Sequence, residues 1–207
     1  ETEIGDSNIL IIEQVGGTNR VGGVTSETPS NANYATISGS SNTLTIKQTG
    51  DNNLNQYNLK GSNNQYTSLL TGSGNKTKLM VGDASNVNND HNVISETITG
   101  DTNILVQTFI GSHITDTISI TGGSNQITQD LKSSLGVSNL TILGSSNQFD
   151  VEQIDTAGAT GHSLKSYVNG SFNAILTQQQ GGNDTTIDIK TTGDSNTITV
   201  RSSNAAI

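Results

Sequence analysis

The chain has 207 residues, 30% hydrophobic and 3% aromatic, with 23 Gly, one Pro and no Cys. That apolar content lies below an ordinary globular domain and excludes a large conventional core, while the absence of Cys excludes disulfides, thiol chemistry and Cys-ligated zinc. A formal net charge of −9 with 13% charged residues excludes the basic stripe that nucleic acid requires.

The polar content is instead Asn, Gln, Ser, Thr and Gly, the composition of chains that hydrogen-bond in ladders. No apolar run has membrane-spanning length and no basic amphipathic stretch is present, so membrane insertion is not expected. The first residue is Glu1, which fits a removed secretion signal, a maturation cleavage or a truncated sequence equally well.

From the N-terminus, the chain opens on an 11-residue unit, GDSNILIIEQV from Gly5, in which Asn8, Leu10, Ile12 and Gln14 alternate. The unit recurs from Gly39 with Asn42, Leu44, Ile46 and Gln48, and from Gly144 with Asn147, Phe149, Val151 and Gln153. Asn42, Asn53, Asn64, Asn75 and Asn86 stand 11 apart, preceded by Asn31, Asn19 and Asn8. A second phase holds Asn92, Asn103, Asn125 and Asn147, with Ile114 and Gly136 where Asn is missing, and a third block carries Asn173, Asn183 and Asn196.

Alternation of period two places Asn, two apolar residues and Gln on one face of a strand, and residues such as Thr43, Thr45 and Lys47 on the other. The remaining Gly-x-x makes the turn, since Gly accepts positive φ and a neighbouring Asp or Ser bonds turn amides. Two units give a coil of about 22 residues, hence an all-β fold: a two-sheet parallel β-solenoid of roughly nine coils, about 40 Å long. Inward amides are tolerated because each can bond its copy in the next coil, about 4.8 Å away. Three stretches, 22–38 with Pro29, 87–91 and 155–168, break the phase and are predicted loop insertions in one domain spanning 1–207.

The spaced unit GxxNxφxφxQ, where φ is apolar, resembles the curlin repeat of bacterial curli, a repeat also found in bacteriophage virion proteins. The resemblance covers most of the chain. It implies inward Asn at Asn8, Asn42, Asn103, Asn125, Asn147, Asn173 and Asn196, inward Gln at Gln14, Gln48 and Gln153, and self-assembly through end-strand stacking. The Gln position departs from the pattern at Leu59, Leu70, Phe109 and Ser202.

Chemistry-bearing patterns are sparse. His91, His113 and His162 share no ligand spacing and read as exposed turn residues, so no metal is expected. The pairs Gly16-Gly17, Gly122-Gly123 and Gly181-Gly182 lack the nine-residue calcium β-roll pattern. Asp150 with Glu152, and Asp184 with Asp188, lie outward on single strands, as on a solvated face, so no catalytic pair or cofactor is expected. Asn-x-Ser/Thr triplets at Asn75, Asn139, Asn169 and Asn183 occur at the frequency the composition dictates. Outward Thr-x-Thr pairs at Thr43/Thr45, Thr97/Thr99, Thr115/Thr117 and Thr197/Thr199 read as scattered strand formers.

These observations point to a non-enzymatic structural protein. It is expected to be a subunit of an extracellular filament that assembles with itself through strand edges. The alternative is a virion protein, a tail-fibre or capsid-decorating module that meets a host-surface glycan or other virion proteins through its loops.

Overall fold

The computed structural model describes residues 2–4, 9–16, 35–38, 41–50, 52–60, 63–72, 74–82, 90–100, 102–122, 124–133, 136–154, 161–180 and 186–203. These form sixteen strands and no helix. In chain order they are β1 (Thr2–Ile4), β2 (Ile9–Val15), β3 (Ala35–Ser38), β4 (Thr43–Thr49), β5 (Asn55–Lys60), β6 (Gln65–Thr71), β7 (Lys76–Val81) and β8 (Asp90–Thr99). There follow β9 (Thr102–Thr121), β10 (Ser124–Ser133), β11 (Gly136–Leu143), β12 (Ser146–Ile154), β13 (Ser163–Asn169), β14 (Phe172–Gln180), β15 (Thr186–Thr192) and β16 (Asn196–Ser203).

All pairings are parallel and, except at the long β9, which pairs both β8 and β10, skip the intervening strand; the fold is a β-solenoid with two sheets. Sheet A runs β1-β3-β5-β7-β9-β10-β12-β14-β16, and sheet B runs β2-β4-β6-β8-β9-β11-β13-β15. The 20-residue β9 serves both: its first half pairs β7 and β10, its second half β8 and β11. It bends where Gly111 and His113 take positive φ.

The regular step between stacked strands is 22 residues, as in Ser124↔Ser146 and Thr43↔Gln65. Three steps are longer: 34 residues at Thr2↔Thr36, 28 at Lys76↔Ile104 and 26 at Ser146↔Phe172. The three stretches read as loops from the sequence are therefore too long at their C-terminal ends. Ala35–Ser38 is β3, β8 begins at Asp90, and Ser163–Val168 belongs to β13. The early strands escape a pattern search because their Asn slot or their apolar spacing departs from the template, although the backbone ladder continues through them.

Burial follows the alternation read from the sequence, with eBeBeBe along β6 and iBiBiB along β7 (B buried, i half-buried, e exposed). The interior is a thin apolar seam containing Leu44, Ile46, Tyr57, Leu59, Leu105, Phe109, Ile127 and Phe149, each at most 1% exposed. Each coil buries little alone, and stacking makes the seam continuous.

The turn glycines are unequal. At the corner leading from sheet B into sheet A, Gly50, Gly72, Gly100, Gly122, Gly144, Gly170 and Gly193 stand above one another, three residues before each sheet-A Asn. The Gly50 N–H donates to the Thr71 carbonyl at 3.0 Å and the Gly72 N–H to Thr99 at 3.0 Å, stitching that corner coil to coil. A methyl group on Gly72 would overlap the Gly50 carbonyl oxygen, and one on Gly100 the Gly72 carbonyl. At the opposite corner Ser133 stands in register with Gly111, so Gly is not required at every turn there.

Candidate functional site

The polar interior is the most specialised part of the molecule. Along sheet A the inward Asn residues form a side-chain ladder. Asn75 Nδ2 donates to Asn53 Oδ1 at 2.5 Å and Asn103 Nδ2 to Asn75 Oδ1 at 2.6 Å. Farther along the direction reverses: Asn125 donates to Asn147 and Asn147 to Asn173, both at 2.6 Å, and Asn173 donates to Asn196 at 2.5 Å. At the reversal the side-chain oxygens of Asn103 and Asn125 are both left without a donor, so the ladder is two opposed segments rather than one.

The second amide hydrogen explains why Gly and Asn are three apart. Nδ2 of Asn147, Asn173 and Asn196 donates to the carbonyl of Gly144, Gly170 and Gly193 at 3.3, 3.0 and 2.7 Å. Each Asn thus ties its own turn as well as the next coil. Substituting Asn147 by Leu removes the side-chain acceptor of the Asn125 amide, which keeps only the Gly122 carbonyl at 3.4 Å, and the donor to the Asn173 oxygen. An expected loss of about 2–4 kcal/mol follows, measured by chemical denaturation.

Sheet B has a shorter ladder: Asn42 donates to Asn64 at 2.8 Å and Asn64 to Asn92 at 2.9 Å. Its next slots hold Ile114, Gly136 and His162, in register with one another. Gly136 leaves room that the Leu131 side chain fills. His162 is 1% exposed, so the reading of it as a surface turn residue is incorrect; it occupies the slot an Asn would fill. His91 and His113 are exposed and stack with ring centres 4.6 Å apart. Asn196 is exposed although it is in register with the buried ladder, and Asn8 lies outside the described residues, as do Asn19, Asn31, Asn86 and Asn183.

Gln rungs are isolated. Gln48 donates to Gln14 at 2.7 Å in sheet B and Gln179 to Gln153 at 2.6 Å in sheet A. Between them the same slot is apolar, with Leu59, Leu70, Phe109, Leu131 and Ile142 all buried.

A second polar cluster, absent from the sequence reading, sits in the middle coils. Glu96 and Asp116 point inward from β8 and β9, 1% and 0% exposed. Thr77 Oγ1 donates to Glu96 at 3.1 Å, and Gln107 Nε2 donates to Glu96 at 2.5 Å and to Asp116 at 3.3 Å. Gln129 Nε2 donates to Asp116 at 2.7 Å and to the Gln107 carbonyl oxygen at 3.0 Å, and Ser138 donates to Gln129 at 2.9 Å. Every side-chain donor to the two carboxyl groups is neutral. Burial pushes Glu96 up to about 7, with the Gln107 and Thr77 hydrogen bonds pulling the other way. Burial, and then the Glu96 charge, hold Asp116 well above the carboxylate range. The signal was in the register: Glu96 lies four residues after Asn92, and Asp116 two after Ile114, both at slots the repeat reserves for apolar side chains.

Asp150 and Asp188 are exposed, and Glu152 is half-buried. Among the described residues no three His, Cys, Asp or Glu side chains gather as metal ligands. No helix among them is long and apolar enough to cross a membrane. Along the start of sheet A runs a shallow groove of about 480 Å³, lined by Ser124, Gln126, Ser146, Gln148 and Phe172, whose ring is 61% exposed. No family model, curated protein or solved structure matches the chain.

Proposed function

We propose that this chain is a non-enzymatic structural protein, a curlin-like β-solenoid subunit of an extracellular filament that assembles by strand-edge stacking. The observation that carries the reading is the sheet-A amide ladder, which stays in register from Asn53 to Asn196 and reaches the last described strand. On that strand the inward Ile198 and Val200 are 45% and 49% exposed, and β16 pairs β14 alone among the described residues. Such an edge offers unpaired backbone groups, an Asn and an apolar row to another solenoid end. Purified protein incubated over a range of concentration and salt is expected to form unbranched filaments by electron microscopy. A persistently monodisperse monomer or trimer would overturn the proposal.

A second reading, a bacteriophage virion module for host attachment, draws on two observations. The 28- and 26-residue steps fall at the same corner, between β7 and β8 and between β12 and β13. The surface groove, at the opposite end of the sheet-A strands, combines amides, hydroxyls and an exposed Phe172 ring, a set suited to a glycan. Under this reading Phe172→Ala abolishes retention on host-surface polysaccharide with no change in melting temperature. Equal retention by both proteins counts against it.

A further inference from the structure

The outer face of sheet B carries an ordered array. Thr45, Thr67, Ser95 and Thr117 stand directly over one another on β4, β6, β8 and β9, as do Thr49, Thr71, Thr99 and Thr121. The Thr-x-Thr pairs Thr43/Thr45, Thr97/Thr99 and Thr115/Thr117 share this face, but no pair stands directly over another: Gln65 and Val93 separate Thr43 from Thr115, and Thr97 lies between Leu69 and Ser119. Only Thr197/Thr199 lies elsewhere, on β16 of sheet A.

Across β6, β8, β9 and β11 this face has sixteen outward positions, ten of them Thr or Ser and none charged. In a chain of net charge −9, an uncharged sheet face needs a reason. Charges resume immediately outside it, with Lys47 on β4 and with Lys165, Asp188 and Lys190 on β13 and β15. The remaining six are Gln65, Leu69, Val93, Val137, Asn139 and Leu143, so hydroxyls and methyl groups dominate a surface with no charged group.

Spacing and size restrict what such a face fits. The hydroxyls repeat at about 4.8 Å along the stack and about 6.7 Å along each strand. The array covers about 500 Å² by those spacings, below the roughly 800 Å² per partner of a stable protein interface. Its sixteen positions present no aromatic ring, the platform on which sugar rings stack; the rings beside it are the stacked His91 and His113 at the corner end of β8 and in β9, and Tyr167 of β13, under the Lys190 ammonium at 5.6 Å. A two-dimensional lattice of hydroxyls and methyls without charge or aromatic matches an ordered lattice of water. We infer that the outer face of sheet B binds ice.

The full chain is assayed for ice-crystal shaping and inhibition of ice recrystallisation. The parent protein shows both activities, Thr99→Lys and Thr117→Lys abolish them, and Thr128→Lys, exposed on sheet A, retains them. Unchanged circular dichroism and melting confirm that the variants fold, as outward positions require. The inference is overturned by a parent protein with no effect on ice, or by equal losses in all three variants. It is also overturned by a dimer in sedimentation that Thr99→Lys disrupts without any ice activity, which would make a second copy the occupant. Retention on crystalline cellulose or chitin without ice activity overturns it in favour of a polysaccharide.

Discussion

Between pH 4 and pH 8 the parent protein is expected to lose about 3 kcal/mol of unfolding free energy that the Glu96→Gln variant does not lose. Glu96 has no cation to offset its burial; burial raises its pKa from 4.5 to about 7, so the folded state holds a proton that the unfolded chain releases. A carboxyl raised in this sense favours the folded state fully below the unfolded value, and the advantage fades as pH rises through the folded one. Asp116 shifts in the same direction and extends the loss to higher pH. Denaturant unfolding of parent, Glu96→Gln and Asp116→Asn at a series of pH values measures this directly. The difference between proteins isolates the buried pair from the surface acids. Parallel pH profiles for parent and variants would mean that the two carboxyl groups are already as easily ionised as in water.

The second large effect concerns the glycine corner. Gly72→Ala is expected to destabilise the solenoid by about 3 kcal/mol or more, through combined overpacking and backbone strain. Gly72 takes φ +134° and faces the Gly50 carbonyl oxygen, which is backbone and cannot swing aside. By contrast Gly16, at the outermost coil, has open space around it. Gly16→Ala therefore meets only the conformational strain of φ +135° and costs less. Melting temperatures of the two variants test the contrast, and equal losses would show that the stacked corner adds nothing beyond backbone conformation.

The architecture was legible because one short unit repeats its geometry. Asn, apolar and Gln positions two apart fix which face is inward, and the 22-residue step follows from two units. Loop boundaries were less legible because the template lapses around β3 and β13: Asn31 keeps the 22-residue step to Asn53, but Asn33 stands where the unit has an apolar residue, and His162 fills the Asn slot before β13. A backbone ladder does not need an Asn to continue, so pattern loss was mistaken for strand loss.

The polar interior shows the other limit. Asn75 and Asn103 could be placed inward from spacing alone, but the reversal between Asn103 and Asn125 depends on which turn carbonyl each amide meets. Glu96, Asp116, Gln107 and Gln129 were visible at inward slots. A carboxylate in a thin core violates the expected cost of burial, and only the facing sheets show that Gln107 reaches both acids and Gln129 reaches Asp116. The threonine columns were hidden for a related reason: Thr49 and Thr71 are 22 residues apart, but Thr71 and Thr99 are 28. Their stacking emerges only from the register between β6 and β8.

The central claim, a single stack in which residues far apart in sequence recur one strand spacing apart, is tested most directly by a distance between two spin labels. The chain has no native Cys, so Lys78→Cys and Thr199→Cys carry the labels without background. The two positions face outward in one column of sheet A, linked through Val106, Thr128, Asp150 and Leu176. Five strand spacings place their backbones about 24 Å apart. A narrow distribution near that distance is the predicted result, and a broad distribution or one centred far from it would contradict the stacked solenoid.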